Sequence, residues 1–224
     1  MKIKASFLKI IPFISTVIMI ILFGCPPGKS IMKNTSMNKI PRVPSPRINP
    51  VQLDQLTDEQ QAYLQPYLDR GLKFNVFTTA ANHPDAAAKF DEFAFYTNSA
   101  STLSPRWREL IILRTAWLTQ SDYEWAQHSR IGLQAGLTRD EVQQIASAEL
   151  SGEWTDVEKS MVRAVDELHQ DTMISDETWH SLSATLSDQQ LMDLIYTTGA
   201  YTTAAMLLNA MGVQLDPGLT GLPK

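Results

Sequence analysis

Four helix starts are written into this chain in the same notation. Thr57-x-x-Gln60, Thr138-x-x-Glu141, Thr155-x-x-Glu158 and Ser187-x-x-Gln190 all match the capping box. In that motif a hydroxyl and a reaching acid or amide satisfy the free N–H groups of a first helical turn. Ser104 followed by Pro105 is a fifth start, a cap with proline at the first helical position. Gly71, Gly136 and Gly212 stand where helices should stop. Between these marks apolar residues recur at spacings of three and four: Leu110, Leu113, Ala116 and Trp117; Met161, Val165 and Leu168; Leu191, Leu194 and Ile195. No segment alternates as a half-buried strand would. The pattern predicts helices near 57–69, 74–81, 84–98, 105–119, 122–135, 139–148, 156–171, 176–185 and 188–211, and hence an all-α domain.

The first fifty residues read differently. Lys2, Lys4 and Lys9 precede an apolar run from Ile10 to Gly24, short for a membrane span and suited to a signal-peptide core. Leu22-Phe23-Gly24-Cys25 resembles a bacterial lipobox, with Cys25 as the acylated residue. The expected order is a signal peptide over 1–24, the lipobox cysteine with a proline-rich tether over 25–50, and the helical domain over 51–224. That places the protein at the bacterial cell envelope, lipid-anchored on the extracytoplasmic, periplasmic side and joined to the membrane through its acyl chains. The alternative is an uncleaved N-terminal anchor. Cys25 is the only cysteine, so the chain can form no internal disulfide and cannot run dithiol chemistry by itself.

Composition excludes further classes. A net charge of −5, with no Lys/Arg-rich run in the folded part, argues against nucleic acid as a partner. His83, His128, His169 and His180 are scattered, with no paired spacing of the zinc kind, so no metal site is expected. Gly-rich phosphate loops, dinucleotide fingerprints and a nucleophile elbow are missing too, and no cofactor is expected.

The chemistry concentrates between Ser104 and Gly136, SPRWRELIILRTAWLTQSDYEWAQHSRIGLQAG. Glu124 and His128 are four apart, so on one helix they share a face. Glu109 lies on the preceding helix across a short turn, and periodicity alone does not set it against His128. Two acids and an imidazole are a proton-transfer set if they are buried, because burial raises a carboxyl pKa and histidine titrates near neutrality. Structural alternatives stand beside this. Ser121-x-x-Glu124 is itself a capping box, and His128 could be a hydrogen-bonded core residue. Glu109 could pair with Arg106, Arg108 or Arg114, while Trp107, Trp117 and Trp125 fit core anchors.

RELIILRTAW, YEWAQH and the closing segment from Thr155, with Tyr201 to Asn209 inside it, resemble the carboxymuconolactone decarboxylase family, which includes the alkyl hydroperoxidase D-like proteins. The resemblance covers roughly residues 74–217. It implies a compact helical bundle of the alkyl hydroperoxidase D-like type that assembles as a homo-oligomer, often a trimer or hexamer, with pockets near subunit interfaces. The family's motif glutamate and histidine correspond to Glu109 and His128. Redox members carry cysteines where this chain has Ser121 and Glu124, and a hydroxyl with a carboxylate cannot form their disulfide. The resemblance therefore points to the branch without thiols: a cofactor-free, lyase-type acid/base enzyme for a small carboxylated or lactone substrate. Glu109, Glu124 and His128 would be catalytic, Tyr123 and Trp125 would line the pocket, and Arg114 and Arg130 are the nearest cations for a substrate carboxylate. The alternatives are a peroxidase-like activity, as in the redox branch, or a non-catalytic envelope lipoprotein that binds a ligand.

Overall fold

The computed structural model describes residues 43–223 of the chain. The signal-peptide reading of 1–24, the Cys25 anchor and most of the proline-rich tether lie outside the described residues. Among the described residues no helix is long and apolar enough to cross a membrane.

The described residues are helical, without strands. The helices are α1 (Asp58–Leu68), α2 (Asn75–Ala80), α3 (Pro84–Phe95), α4 (Pro105–Leu118), α5 (Asp122–Gln134), α6 (Arg139–Ile145), α7 (Asp156–Asp171), α8 (Asp176–Ser183) and α9 (Asp188–Met211). All four capping boxes are formed, with hydroxyl and reaching side chain both engaged. Ser104 caps α4 by accepting from the Trp107 N–H at 3.2 Å. The third helix departs from the expected continuous span over 84–98. It changes at Tyr96–Ala100 to a π-turn, a local widening that recurs at functional sites.

α4 is the centre of the domain. Every residue from Glu109 to Ala116 is buried, so the helix has no solvent face in its middle and must be covered on all sides. It packs against α5, α7 and α9. Leu110, Leu113 and Ala116 join Trp125, Ile145 and Trp154 in one apolar cluster. Ile111 joins Met161, Val165, Leu182 and Leu194 in a second. Ile112 meets Ala200 and Tyr201 of α9. Tyr63 and Leu64 of α1 form a separate cluster with Ala81, onto which Tyr67 and Phe77 pack.

Residues 43–48, ahead of the expected domain start at residue 51, also contact the helical domain. The Arg47 and Ile48 N–H groups donate to Met211 O, and the Gln214 side chain donates to Val43 O. These contacts lay residues 43–48 across the end of α9. Gly212 makes this possible: its φ is +72°, and a Cβ there would meet Ser45 O at 3.0 Å.

Candidate active site

The turn from α4 into α5 is tight. The Ser121 N–H reaches back to Ala116 O at 2.8 Å, and Gln120 takes a left-handed φ of 55° to allow it. The two helices then run side by side at close range. A Cβ on Gly132 of α5 would meet Leu137 Cδ1 at 3.0 Å, Leu113 Cδ1 at 3.3 Å and Glu109 Cβ at 3.7 Å. His128 lies one turn before Gly132, and this approach brings it to Glu109.

His128 Nδ1 stands 2.7 Å from Glu109 Oε2. Both side chains are buried, Glu109 completely. The carboxylate accepting at Nδ1 selects the tautomer that carries its proton there, which leaves Nε2 as the free basic nitrogen. Arg108 Nε lies 3.8 Å from the other Glu109 oxygen, an ion pair without a hydrogen bond. Tyr201 of α9 meets the imidazole edge-on, ring centres 4.9 Å apart. Its hydroxyl accepts from the Asn98 amide at 2.8 Å, and Asn98 sits in the π-turn. Burial, followed by the nearby Glu109 and Glu124, pushes the Tyr201 phenol upward.

Glu124 and His128 share a cavity wall on α5 but are not hydrogen-bonded to each other. Glu124 is 3% exposed, and neither carboxyl oxygen has a hydrogen-bond partner among the described residues. Burial pushes its carboxyl up to about 8, and the Ser121 hydroxyl, outside good hydrogen-bond geometry, offsets this only in part. At neutral pH this side chain is a buried carboxylic acid, and its residue lines an open space. The capping-box alternative for Ser121 and Glu124 does not hold: Ser121 is the N-cap residue by its backbone, yet its side chain makes no cap hydrogen bond.

That space is a cavity of about 250 Å³. Phe74, Val76, Phe77, Phe90, Ile131 and Leu208 supply apolar walls. Asp91, Asn98, Tyr123, Gln127 and Tyr201 add polar groups beside Glu124 and His128. A mostly apolar hollow with a few convergent polar groups and a perturbed acid is the usual form of a small-molecule site.

The other expected site residues are placed as follows. Tyr123 lines the cavity, but its hydroxyl donates to Asp216 Oδ2 at 2.5 Å and accepts from the Val76 N–H at 3.3 Å. Trp125 is not on the cavity wall: it is 4% exposed in the α4–α6 cluster, against Trp117. Arg114 is also elsewhere. It grips Asp166 of α7 with two hydrogen bonds of 2.6 and 2.8 Å and donates to the Ile145 and Ser147 carbonyls. Arg130 is exposed and donates to Gln127 Oε1 at 3.2 Å. Sequence reasoning missed Tyr201, Asn98, Asp91 and the three phenylalanines, which come from α9, the π-turn, α3 and the segment at α2 rather than from the α4–α5 stretch.

Residues 84–167 match the model of the carboxymuconolactone decarboxylase family. No curated protein matches the chain. Among solved structures, an alkylhydroperoxidase AhpD core from Ralstonia eutropha JMP134, an uncharacterized peroxidase-related protein, is similar at 20% identity and a TM-score of 0.68, over 78% of this chain and 94% of that one. A peroxidase-related protein from Silicibacter sp. TM1040 is similar at 16% identity and 0.66, over 76% of this chain and 93% of that one. A debrominase in complex with 2,3,4-tribromopyrrole is similar at 13% identity and 0.64, over 76% and 91%. At these identities the structural likeness is one of fold. Glu109, Glu124 and His128 all fall within the segment that matches the carboxymuconolactone decarboxylase family model, and the chain has the alkylhydroperoxidase D-like helical fold.

Proposed function

We propose that this protein is an acid/base enzyme that moves a proton on a small carbonyl compound of the lactone type. The observation that carries the reading is Glu124: a buried carboxyl, raised by burial to about 8 and without a hydrogen-bond partner among the described residues, on the same cavity as the His128 that Glu109 holds. His128 Nε2 takes a proton from the carbon beside the carbonyl. The electron pair of that C–H bond moves onto the carbonyl oxygen, where the Glu124 O–H donates and stabilises the enolate. Glu109 holds the imidazolium until the proton is returned to carbon. The reading requires no cofactor.

Decarboxylation, the reaction in the family's name, would pass through the same enolate with carbon dioxide as the leaving group. It requires a substrate carboxylate, and among the described residues no Lys or Arg lines the cavity. Isomerisation of a neutral carbonyl compound is therefore favoured over loss of carbon dioxide. Thiol-based hydroperoxide reduction is not favoured, because the hydroxyl of Ser121 and the carboxyl of Glu124 cannot cycle through a disulfide. The test is solvent-proton exchange into lactones and cyclic ketones by the full chain: Glu124→Gln and His128→Ala should each lower it about 100-fold or more.

Assembly and location remain proposals as well. Met192, Ile195, Tyr196, Met206 and Leu207 leave an exposed apolar stripe on α9, and Phe93 meets Tyr196 edge-on beside it. Copies of the chain associating there would cover it; Tyr196→Glu should then reduce the mass measured by light scattering. A lipid anchor at Cys25 would be read by fatty-acid labelling that Cys25→Ala abolishes.

A further inference from the structure

Asp91 of α3 lies on the wall of the same cavity, and its arrangement is unlike that of a surface acid. Its Oδ2 accepts from two phenols of α1, Tyr63 at 2.8 Å and Tyr67 at 2.6 Å. Tyr63 is itself buried, and Tyr67 stacks on Phe77 with ring centres 3.9 Å apart. The carboxyl is thus held by two rigid donors on one oxygen. Its second oxygen, Oδ1, has no hydrogen bond among the described residues. The cavity wall therefore carries two polar groups of opposite kind: a donor at the buried Glu124 and an acceptor at the half-buried Asp91. Phe74, Phe77 and Phe90 line the same cavity.

We propose that Asp91, held by Tyr63 and Tyr67, is a specificity-determining residue that selects a flat, carboxylate-free ligand carrying a hydroxyl or ammonium donor. This rests on the proton-transfer reading only for the role of Glu124 at the other polar end of the ligand. A hydroxyl or ammonium satisfies Oδ1. A carboxylate in the same place meets a like charge in an apolar enclosure, with no lining cation to offset it. The proposal departs from the carboxylated substrate that the family resemblance implies, and it assigns α1 a part in recognition.

The experiment is equilibrium binding to the full chain, by calorimetry and ligand-observed NMR, of four acetophenones that differ only at the para position: hydroxyl, aminomethyl, methyl and carboxylate. The hydroxyl and aminomethyl probes should bind about tenfold more tightly than the methyl probe, with the carboxylate weakest. In Asp91→Asn the gap between hydroxyl and carboxylate should shrink about tenfold, since the charge is gone while an oxygen remains for the two tyrosines. The double variant Tyr63→Phe, Tyr67→Phe keeps the charge and should keep the order. If Asp91→Asn does not fold, the wild-type ranking decides alone. The carboxylate binding as well as the hydroxyl, a ranking unchanged in Asp91→Asn, or no probe binding at all would each overturn the proposal. None of this requires turnover: Glu124→Gln should preserve the ranking, so failure of the catalytic reading shows separately as undiminished proton exchange in that variant.

Discussion

Glu109 and His128 are nineteen positions apart in the chain, yet Oε2 of one and Nδ1 of the other stand 2.7 Å apart in a buried contact between α4 and α5. The contact sets which imidazole nitrogen faces the cavity. Glu109→Gln can donate where the glutamate accepts, and so can reverse the tautomer. Proton exchange should fall about 100-fold while probe binding in the cavity changes little. An NMR reading of the His128 ring nitrogens should show the change of tautomer directly.

Glu124 should leave a signature in stability as well as in activity. Its folded carboxyl titrates near 8, raised by burial from the ordinary value of 4.5. The folded state therefore holds a proton that the unfolded chain has lost across that window. The contribution is fully present below pH 4.5 and is lost as the pH rises towards 8, by up to about 4 kcal/mol. Thermal melts of the wild type should decline between pH 5 and 8, and Glu124→Gln should flatten this part of the curve. A wild-type profile that rises over the same interval would contradict the assignment.

Gly132 keeps the two helices close enough for the dyad. An alanine there gains roughly 1 kcal/mol of helix propensity. Its Cβ, however, would press on Leu137 Cδ1 at 3.0 Å and Leu113 Cδ1 at 3.3 Å, both buried in one apolar cluster that would have to shift by a few tenths of an ångström. Gly132→Ala should be destabilising by about 1 kcal/mol net in urea titrations. It should also reduce proton exchange, because Glu109 lies on the surface being pushed away.

Arg114 separates structure from recognition. Its guanidinium joins α4 to Asp166 of α7 and to the carbonyls at the end of α6. Arg114→Ala should cost about 2 kcal/mol of stability, mainly because the Ile145 and Ser147 carbonyls lose their donor, while the partly exposed Asp166 can be met by water. Affinity for cavity ligands should be unchanged in the folded fraction. Loss of affinity without loss of stability would restore Arg114 to the binding role that its position in the sequence first implied.

Much of the fold could be read from the chain because its helices are punctuated locally. A hydroxyl and an acid three residues apart act within one turn, and Thr57, Thr138, Thr155 and Ser187 needed nothing from elsewhere to start their helices. Glu109, Glu124 and His128 were legible for the same reason, lying on two consecutive helices. What periodicity could not supply was orientation. Trp125 is adjacent to Glu124, yet it turns into the core, and Arg114 turns toward α7 rather than the cavity. Tyr201 reaches His128 from another helix late in the chain, and Asn98 reaches Tyr201 from 103 positions away, through a π-turn with no local composition signal. Asp91 carries no mark of its own until Tyr63 and Tyr67 are folded against it.

The most direct measurement is deuterium uptake from solvent, by the full chain at pH 7, into 4-carboxymuconolactone and a panel of γ-lactones and cyclic ketones, with Glu124→Gln and His128→Ala alongside. The account predicts exchange at the carbon beside the carbonyl in at least one neutral member, lost in both variants while their folding is intact. Exchange that persists in Glu124→Gln and His128→Ala at the wild-type rate would contradict it.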